Sequence, residues 1–216
     1  MRSEYIFKIK PYSPSEEDKA EIARDSDTEW DSAYKSYKKN LKNYLHKHQN
    51  GRCALCRCKI HRGTQYITLE HIASKTKYKQ YRALPENLVN ACTICNSSKK
   101  DKETFSNPSK AKTSFPNKSE DFIIINPYYD NYEDYIEFFD DVLIQAKPGT
   151  GDKGKNTIEF YNLTRLNLAE ERASEYMLNT KNLRHQLMEK LCTDPSTDIK
   201  KQIEDIINDL PNWVCS

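Results

Sequence analysis

Residues 86–99 read ENLVNACTICNSSK, and this stretch decides how the chain folds. Cys92-Thr93-Ile94-Cys95 is a CxxC pair, and a second pair, Cys53-Ala54-Leu55-Cys56, ends 35 residues before it. Two residues between cysteines let both thiolates of a knuckle turn reach one ion, and two such knuckles complete a closed tetrahedral zinc site. The bland alternative is four reduced core cysteines with no metal, and the repeated spacing inside a basic stretch counts against it. Cys58 and His61 form a competing ligand set beside the first knuckle, one that leaves the second pair unexplained. Cys192 and Cys215 lie outside the module and are expected as free thiols.

Outward from the cysteines, composition sets limits. The chain has 216 residues, enough to bury a core without disulfides, and seven cysteines, an odd number, five of them crowded into two places. That crowding argues against a secreted disulfide scaffold. No run approaches the ~18 apolar residues of a membrane span. The opening MRSEYIFKIK lacks the apolar stretch of a signal peptide, so a cytoplasmic protein without membrane attachment is expected. The net charge of +2 hides a division. Residues 51–118 hold 14 Lys and Arg against Glu70, Glu86, Asp101 and Glu103, whereas residues 120–141 hold eight acids and no base. A positive field around the cysteine module suits a polyanionic substrate.

Three regions follow: 1–50, a strand and helical arm; 51–105, the cysteine module; 106–216, a hairpin and helices. In the first, Tyr5, Phe7 and Ile9 alternate as a short strand, and Ser15 is placed to cap an acidic helical turn. From Glu29 to Gln49, Trp30, Tyr34, Tyr37, Leu41, Tyr44 and Leu45 recur at helical spacing, with Gly51 as the stop. That stripe is expected as core packing, and His46 and His48 as structural. In the third region, FIIINPYYD (residues 122–130) reads as a short buried strand. YIEFFDDVLIQA (135–146) reads as a hairpin turning at Asp140-Asp141. The Pro148–Gly154 loop lacks the Gly-Lys-Ser/Thr ending of a nucleotide-binding loop. A long helix is expected from Thr157 to Leu191, ended by Asp194-Pro195, and a last one over Ile199–Leu210.

A closed four-thiolate site leaves no open position for substrate or water, so chemistry must come from other residues. Between the knuckles lies YITLEHIASK (66–75), with Glu70 and His71 adjacent; Asn87 follows, and Asn96 comes directly after the last cysteine. If zinc staples the ends of this segment together, Glu70-His71 at a strand end comes near Asn96 at a helix start. Side chains of neighbouring residues leave opposite faces of an ideal strand, so the strand must end or twist there for both to serve one site.

CALC, LEHI and ENLVNACTICNSSK together resemble the HNH endonuclease family, in the subgroup whose ββα-metal (His-Me finger) core is braced by a four-cysteine zinc. The resemblance covers about residues 50–105. It implies Glu70 as a ligand of a catalytic divalent ion, Mg²⁺ or Mn²⁺, His71 as general base, Asn87 as the residue that fixes the loop, and Asn96 as the second metal ligand. Glu70 stands where Asp is commoner, and Ser74 where a Pro often follows. Around them Lys75, Lys77, Lys79, Arg82, Lys99 and Lys100 are expected to hold DNA phosphates. The opening MRSEYIFKIKP and the arrangement of the whole chain are similar to the HNH component of Septu-type and retron-linked anti-phage systems, which works beside an ATPase.

The expectation is therefore an α+β protein: a zinc-braced ββα-metal core with an N-terminal helical arm and a C-terminal hairpin plus helices, hydrolysing DNA with a metal ion. Two rivals stand beside it. One is a non-catalytic zinc module that binds nucleic acid, which has no need of Glu70, His71 and Asn96 together. The other is a protein-interaction adaptor, suggested by the acidic segment and the terminal helices.

Overall fold

The computed structural model describes residues 5, 8–60, 67–139, 142–175, 180–193 and 195–209, and the fold is mixed α+β. Ser15 caps α1 (Glu16–Arg24) as expected: its hydroxyl takes the Asp18 N–H while the Asp18 carboxylate takes the Ser15 N–H. Helix α2 spans Lys35–His48, later than the expected start at Glu29. Tyr34 adopts a left-handed φ of 57°, which ends any helix running in from Trp30. The first amides of α2 are then satisfied by the Glu21 carboxylate of α1, from Ser36 at 3.1 Å and Tyr37 at 2.7 Å. The stripe Tyr37, Leu41 and Leu45 is buried, and the chain turns away at Asn50-Gly51, both at positive φ.

Strand β1 (Ile67–His71) pairs antiparallel with β2 (Leu88–Cys92), placing His71 opposite Leu88 and Glu70 opposite Val89. Helix α3 (Thr93–Lys99) follows β2 directly and packs on both strands, giving a ββα unit. The buried amide of Gln49 fastens the end of α2 to this unit, donating to Arg52 O and Asn90 O and accepting the Asn90 N–H. After the short helix α4 (Pro108–Ala111), a second hairpin, β3 (Ile136–Phe139) with β4 (Leu143–Ala146), is present as expected. Its turn at 140–141 lies outside the described residues.

Three expectations are corrected. Residues 122–130 are buried at Ile124 and Ile125 but form no strand beyond one bridge between Phe122 and Phe105. Their amides find side chains instead: Ile125 N–H donates to the Thr157 hydroxyl and Asn126 N–H to the Asp130 carboxylate. Near the N-terminus, residues 8–10 are not a strand; Ile9 N–H bonds Pro127 O, and the expected strand otherwise falls largely outside the described residues. The expected long helix is interrupted at Asn162: α5 (Lys153–Tyr161) ends there, and α6 (Leu166–Glu175) and α7 (Thr180–Leu191) lie beyond it. Asn162 is left-handed at φ 48°, and the Arg165 guanidinium takes the Tyr161 and Asn162 carbonyls, so α5 ends in a satisfied cap. Helix α8 (Thr197–Asp209) follows as expected.

One buried cluster runs from Ile9 through α2, the ββα unit and Tyr128 to Leu168, so arm, module and C-terminal region share an interior. A smaller cluster packs Ala169, Ala173, Leu187, Ile199, Ile203 and Ile206 onto Val142 and Leu143 of the second hairpin. Among the described residues, no helix is long and apolar enough to cross a membrane.

Candidate functional site

The first knuckle is a tight turn after α2, closed by Cys53 N–H to Cys58 O and Arg57 N–H to Cys53 O, with Arg57 at φ 66°. The second is the junction where β2 becomes α3. Together they bring the Sγ atoms of Cys53, Cys56, Cys92 and Cys95 within 4.8 Å of one another, with Cys56 and Cys92 4.0 Å apart. A tetrahedron with Zn–S bonds of about 2.3 Å has edges of about 3.8 Å, so the four thiols fit zinc. The Arg165 guanidinium donates to Cys95 Sγ at 3.5 Å, placing a cation from the C-terminal region against the thiols. Of the competing set, Cys58 is buried with its thiol directed to Cys56 O, and His61 lies outside the described residues. Cys192 is an exposed free thiol, and Cys215 lies outside the described residues.

Strand β1 ends at His71, with Glu70 and His71 as its last two residues. Glu70, His71 and Asn96 line one open pocket of about 470 Å³, with Trp30 and Lys38 of the N-terminal arm on its other side. The His71 ring lies edge-on to Trp30, centroids 4.6 Å apart, and its Nε2 is 3.0 Å from Arg82 O. A carbonyl only accepts, so Nε2 carries the proton and Nδ1 is left as the ring's acceptor. Burial lowers the His71 pKa to about 3, opposed by that hydrogen bond, and the nearby Lys75 and Lys99 charges push the same way as burial. Burial raises Glu70 to about 7, resisted by the charge and hydrogen bond of Lys99.

Asn87 is fully buried and makes three bonds: its Oδ1 accepts the Ala73 N–H at 2.7 Å, and its Nδ2 donates to Ala73 O at 3.2 Å and Tyr81 O at 3.0 Å. It thereby ties both ends of the 72–87 connection together, one residue from the carbonyl that holds His71. Ser74 lacks the fixed φ of a Pro and restrains the turn through its hydroxyl, which accepts the Thr76 N–H at 3.2 Å and donates to the Asp101 carboxylate at 2.6 Å.

The six basic residues expected on phosphates do not share one environment. Lys75 and Lys100 line the pocket, Lys75 also pairing with Asp31 at 3.3 Å; Lys77 and Lys79 are exposed on the connection outside it. Arg82 donates to Ser26 O and lies over the Tyr34 ring. Lys99 is no surface lysine at all: it is buried, with its ammonium 3.3 Å from Glu70 Oε1. Sequence reasoning passed over Lys38 and Lys42, which line the pocket from α2. The signal was available, since i and i+4 basic residues flank the buried stripe on one side of that helix. Trp30, expected purely as core, is a wall of the site.

The HNH endonuclease family model matches residues 53–102. The Septu protein PtuB of Bacillus mycoides (strain KBAB4) is 30% identical over 200 residues, covering 82% of this chain and 67% of that protein. The Septu protein PtuB of Bacillus thuringiensis is 26% identical over 163 residues, covering 73% of this chain and 54% of that protein. No solved structure gives a significant match.

Proposed function

Since this chain belongs to the family of the Septu PtuB proteins and carries an HNH endonuclease domain, we propose that it is a metal-dependent endonuclease that hydrolyses DNA phosphodiester bonds in anti-phage defence, beside an ATPase partner. The observation that carries the reading is the setting of His71: its Nε2 proton is committed to Arg82 O, which leaves Nδ1 as an acceptor, and it lines one pocket with the Glu70 carboxylate and the Asn96 amide.

In this reading Cys53, Cys56, Cys92 and Cys95 hold a structural zinc, and Glu70 and Asn96 offer hard oxygen donors to Mg²⁺ or Mn²⁺. When bound, such an ion would supply positive charge against the phosphodiester and the departing 3′ oxygen. The chain's own residues do the rest. His71 Nδ1 accepts a proton from the attacking water as the new P–O bond forms. The P–O3′ bond breaks, and the 3′ oxygen takes a proton from solvent, leaving a 5′ phosphate and a 3′ hydroxyl. Asn87, through the Tyr81 carbonyl, keeps Arg82 O where it fixes the His71 tautomer. Lys75, Lys77, Lys79, Arg82 and Lys100 supply positive charge along the phosphates on either side.

The ATPase partner rests on the resemblance and not on an uncovered apolar face. Leu187, Ile199, Ile203 and Ile206 of the C-terminal helices pack with Val142 and Leu143 of the second hairpin. Among the described residues, Ile94 and Met188 are the only large hydrophobics left exposed. Part of the acidic segment is also spent internally: Asp130 is buried against Lys153 at 3.0 Å and Asp121 pairs with Lys110.

A plasmid-nicking assay on the zinc-loaded chain, alone and co-expressed with its ATPase partner, tests the reading. Cleavage that requires Mg²⁺ or Mn²⁺, stops with EDTA and is lost in His71→Ala is expected. Plasmid that is bound but left uncut under all these conditions would favour the non-catalytic zinc module instead.

A further inference from the structure

Lys99 is a pocket residue whose buried position the nuclease reading does not require. It sits one helical turn on from Asn96, so both side chains leave the same face of α3. Its side chain is 2% exposed, and the ammonium reaches Glu70 Oε1 at 3.3 Å and Lys100 O at 3.2 Å. Lysines are rarely buried to this degree without a partner, and Glu70, itself only 8% exposed at the side chain, is that partner.

The rest of the pocket makes the pairing consequential. Lys38, Lys42, Lys75 and Lys100 line it together with Lys99. Of the carboxylates on the same walls, Asp31 is already paired with Lys75, and Asp101 receives the Ser74 and Thr76 hydroxyls. A divalent cation entering alone therefore meets five ammonium groups against three carboxylates, Asp31, Glu70 and Asp101, and the carboxylate offered to it is already matched by Lys99. A phosphodiester reverses this balance, because it adds negative charge to the pocket and gives the Lys99 ammonium a second anion to contact.

We propose that Lys99 is a resident counter-ion of Glu70 that keeps the divalent-cation site weak until a phosphodiester occupies the pocket, so that cation and nucleic acid load together. This rests on the reading of Glu70 as a cation ligand. By linkage, nucleic acid tightens the cation and the cation tightens nucleic acid by the same factor. Lys99 acts here as a positioning residue, through Glu70.

The test is Mn²⁺ binding, followed by loss of the free-ion electron paramagnetic resonance signal. It uses the full, zinc-loaded chain in a His71→Ala background that leaves DNA uncut, with and without a short duplex. Binding that Glu70→Gln removes is scored as binding at this site. The parent should take up Mn²⁺ weakly alone and at least about tenfold more tightly with DNA, the scale set by moving one unit charge near a divalent ion. Lys99→Met should bind Mn²⁺ without DNA, and the effect of DNA should shrink. Lys99→Gln, which still hydrogen-bonds Glu70 and Lys100 O, serves if Lys99→Met does not fold, and Lys99→Arg should behave as the parent. Equal, Glu70-dependent affinity in the parent and the neutral variants, indifferent to DNA, overturns the counter-ion role while leaving Glu70 as a ligand. No Glu70-dependent uptake in any variant, with or without DNA, overturns both.

Discussion

Replacing Asn87 by Ala tests the support of the site without touching its chemistry. Asn87 is fully buried, and truncation strips partners from three backbone groups: the Ala73 N–H, the Ala73 carbonyl and the Tyr81 carbonyl. At about 1 kcal/mol net for each bond, and more for any group left buried and unpaired, the loss comes to about 3–5 kcal/mol. A domain stable by about 5–15 kcal/mol would stay folded in water but unfold at distinctly lower urea. The consequence for activity runs through Arg82, whose carbonyl holds His71 Nε2 and directly follows the released Tyr81. Asn87→Ala should therefore lower the urea midpoint and the nicking rate together in zinc-loaded protein. Asn87→Asp separates the causes, since a carboxylate still accepts the Ala73 N–H but cannot donate to either carbonyl. It should recover part of the stability at most and little of the rate. A stability loss below about 0.5 kcal/mol with nicking at the parent rate would refute the assignment, because surface substitutions alone stay within that range.

Other outcomes follow from the same contacts. Purified chain should carry one zinc by elemental analysis, and Cys53→Ser or Cys95→Ser should lose both the metal and the cooperative unfolding transition, since structural zinc contributes on the order of 10 kcal/mol or more to folding. His71→Ala should lower nicking by about 10² to 10⁴ and stay slow at any Mg²⁺ concentration, with zinc content and DNA affinity kept, whereas Glu70→Ala and Asn96→Ala should raise the Mg²⁺ needed. Glu21→Ala removes the acceptor for two amides of α2 and should cost about 1–2 kcal/mol in urea unfolding. Affinity for duplex DNA should fall steeply with salt, by a log–log slope of about −0.9 per phosphate contact, and Lys75, Lys77 and Lys79 changed together to Ala should flatten it. A salt-independent affinity would point to a protein partner instead.

What could be read in the sequence was what depends on spacing. The two CxxC pairs, the cap at Ser15, the stop at Gly51 and the second hairpin each follow from a short pattern whose geometry is nearly fixed, and each is present. The misses share another cause. Residues 122–130 have the composition of a strand, yet Thr157 and Asp130 supply hydrogen bonds that a neighbouring strand would otherwise give. The helix expected across Asn162 has good periodicity on both sides, and is ended by a left-handed residue and by an arginine three positions further on. In both places side-chain hydrogen bonds replace the backbone's regular partner, and periodicity carries no information about them.

The same limit applies with more force to the basic residues, because charge in a sequence has a sign but no location. Six residues looked alike as phosphate contacts, and their environments separate into pocket-lining, exposed, stacked and buried. Lys99 and Lys100 are neighbours in the chain, yet the helix ends between them, with Lys100 at φ 53°. One ammonium is thereby directed inward to Glu70, while the other residue is exposed at the pocket's edge. A cation held against a carboxylate in a dry place interacts several-fold more strongly than one in water. Of these six, the single residue that is buried is thus the one whose charge the chemistry must accommodate, and replacing Lys77 and Lys79, which lie outside the pocket, should alter how tightly DNA binds while leaving cation affinity in the absence of DNA unchanged.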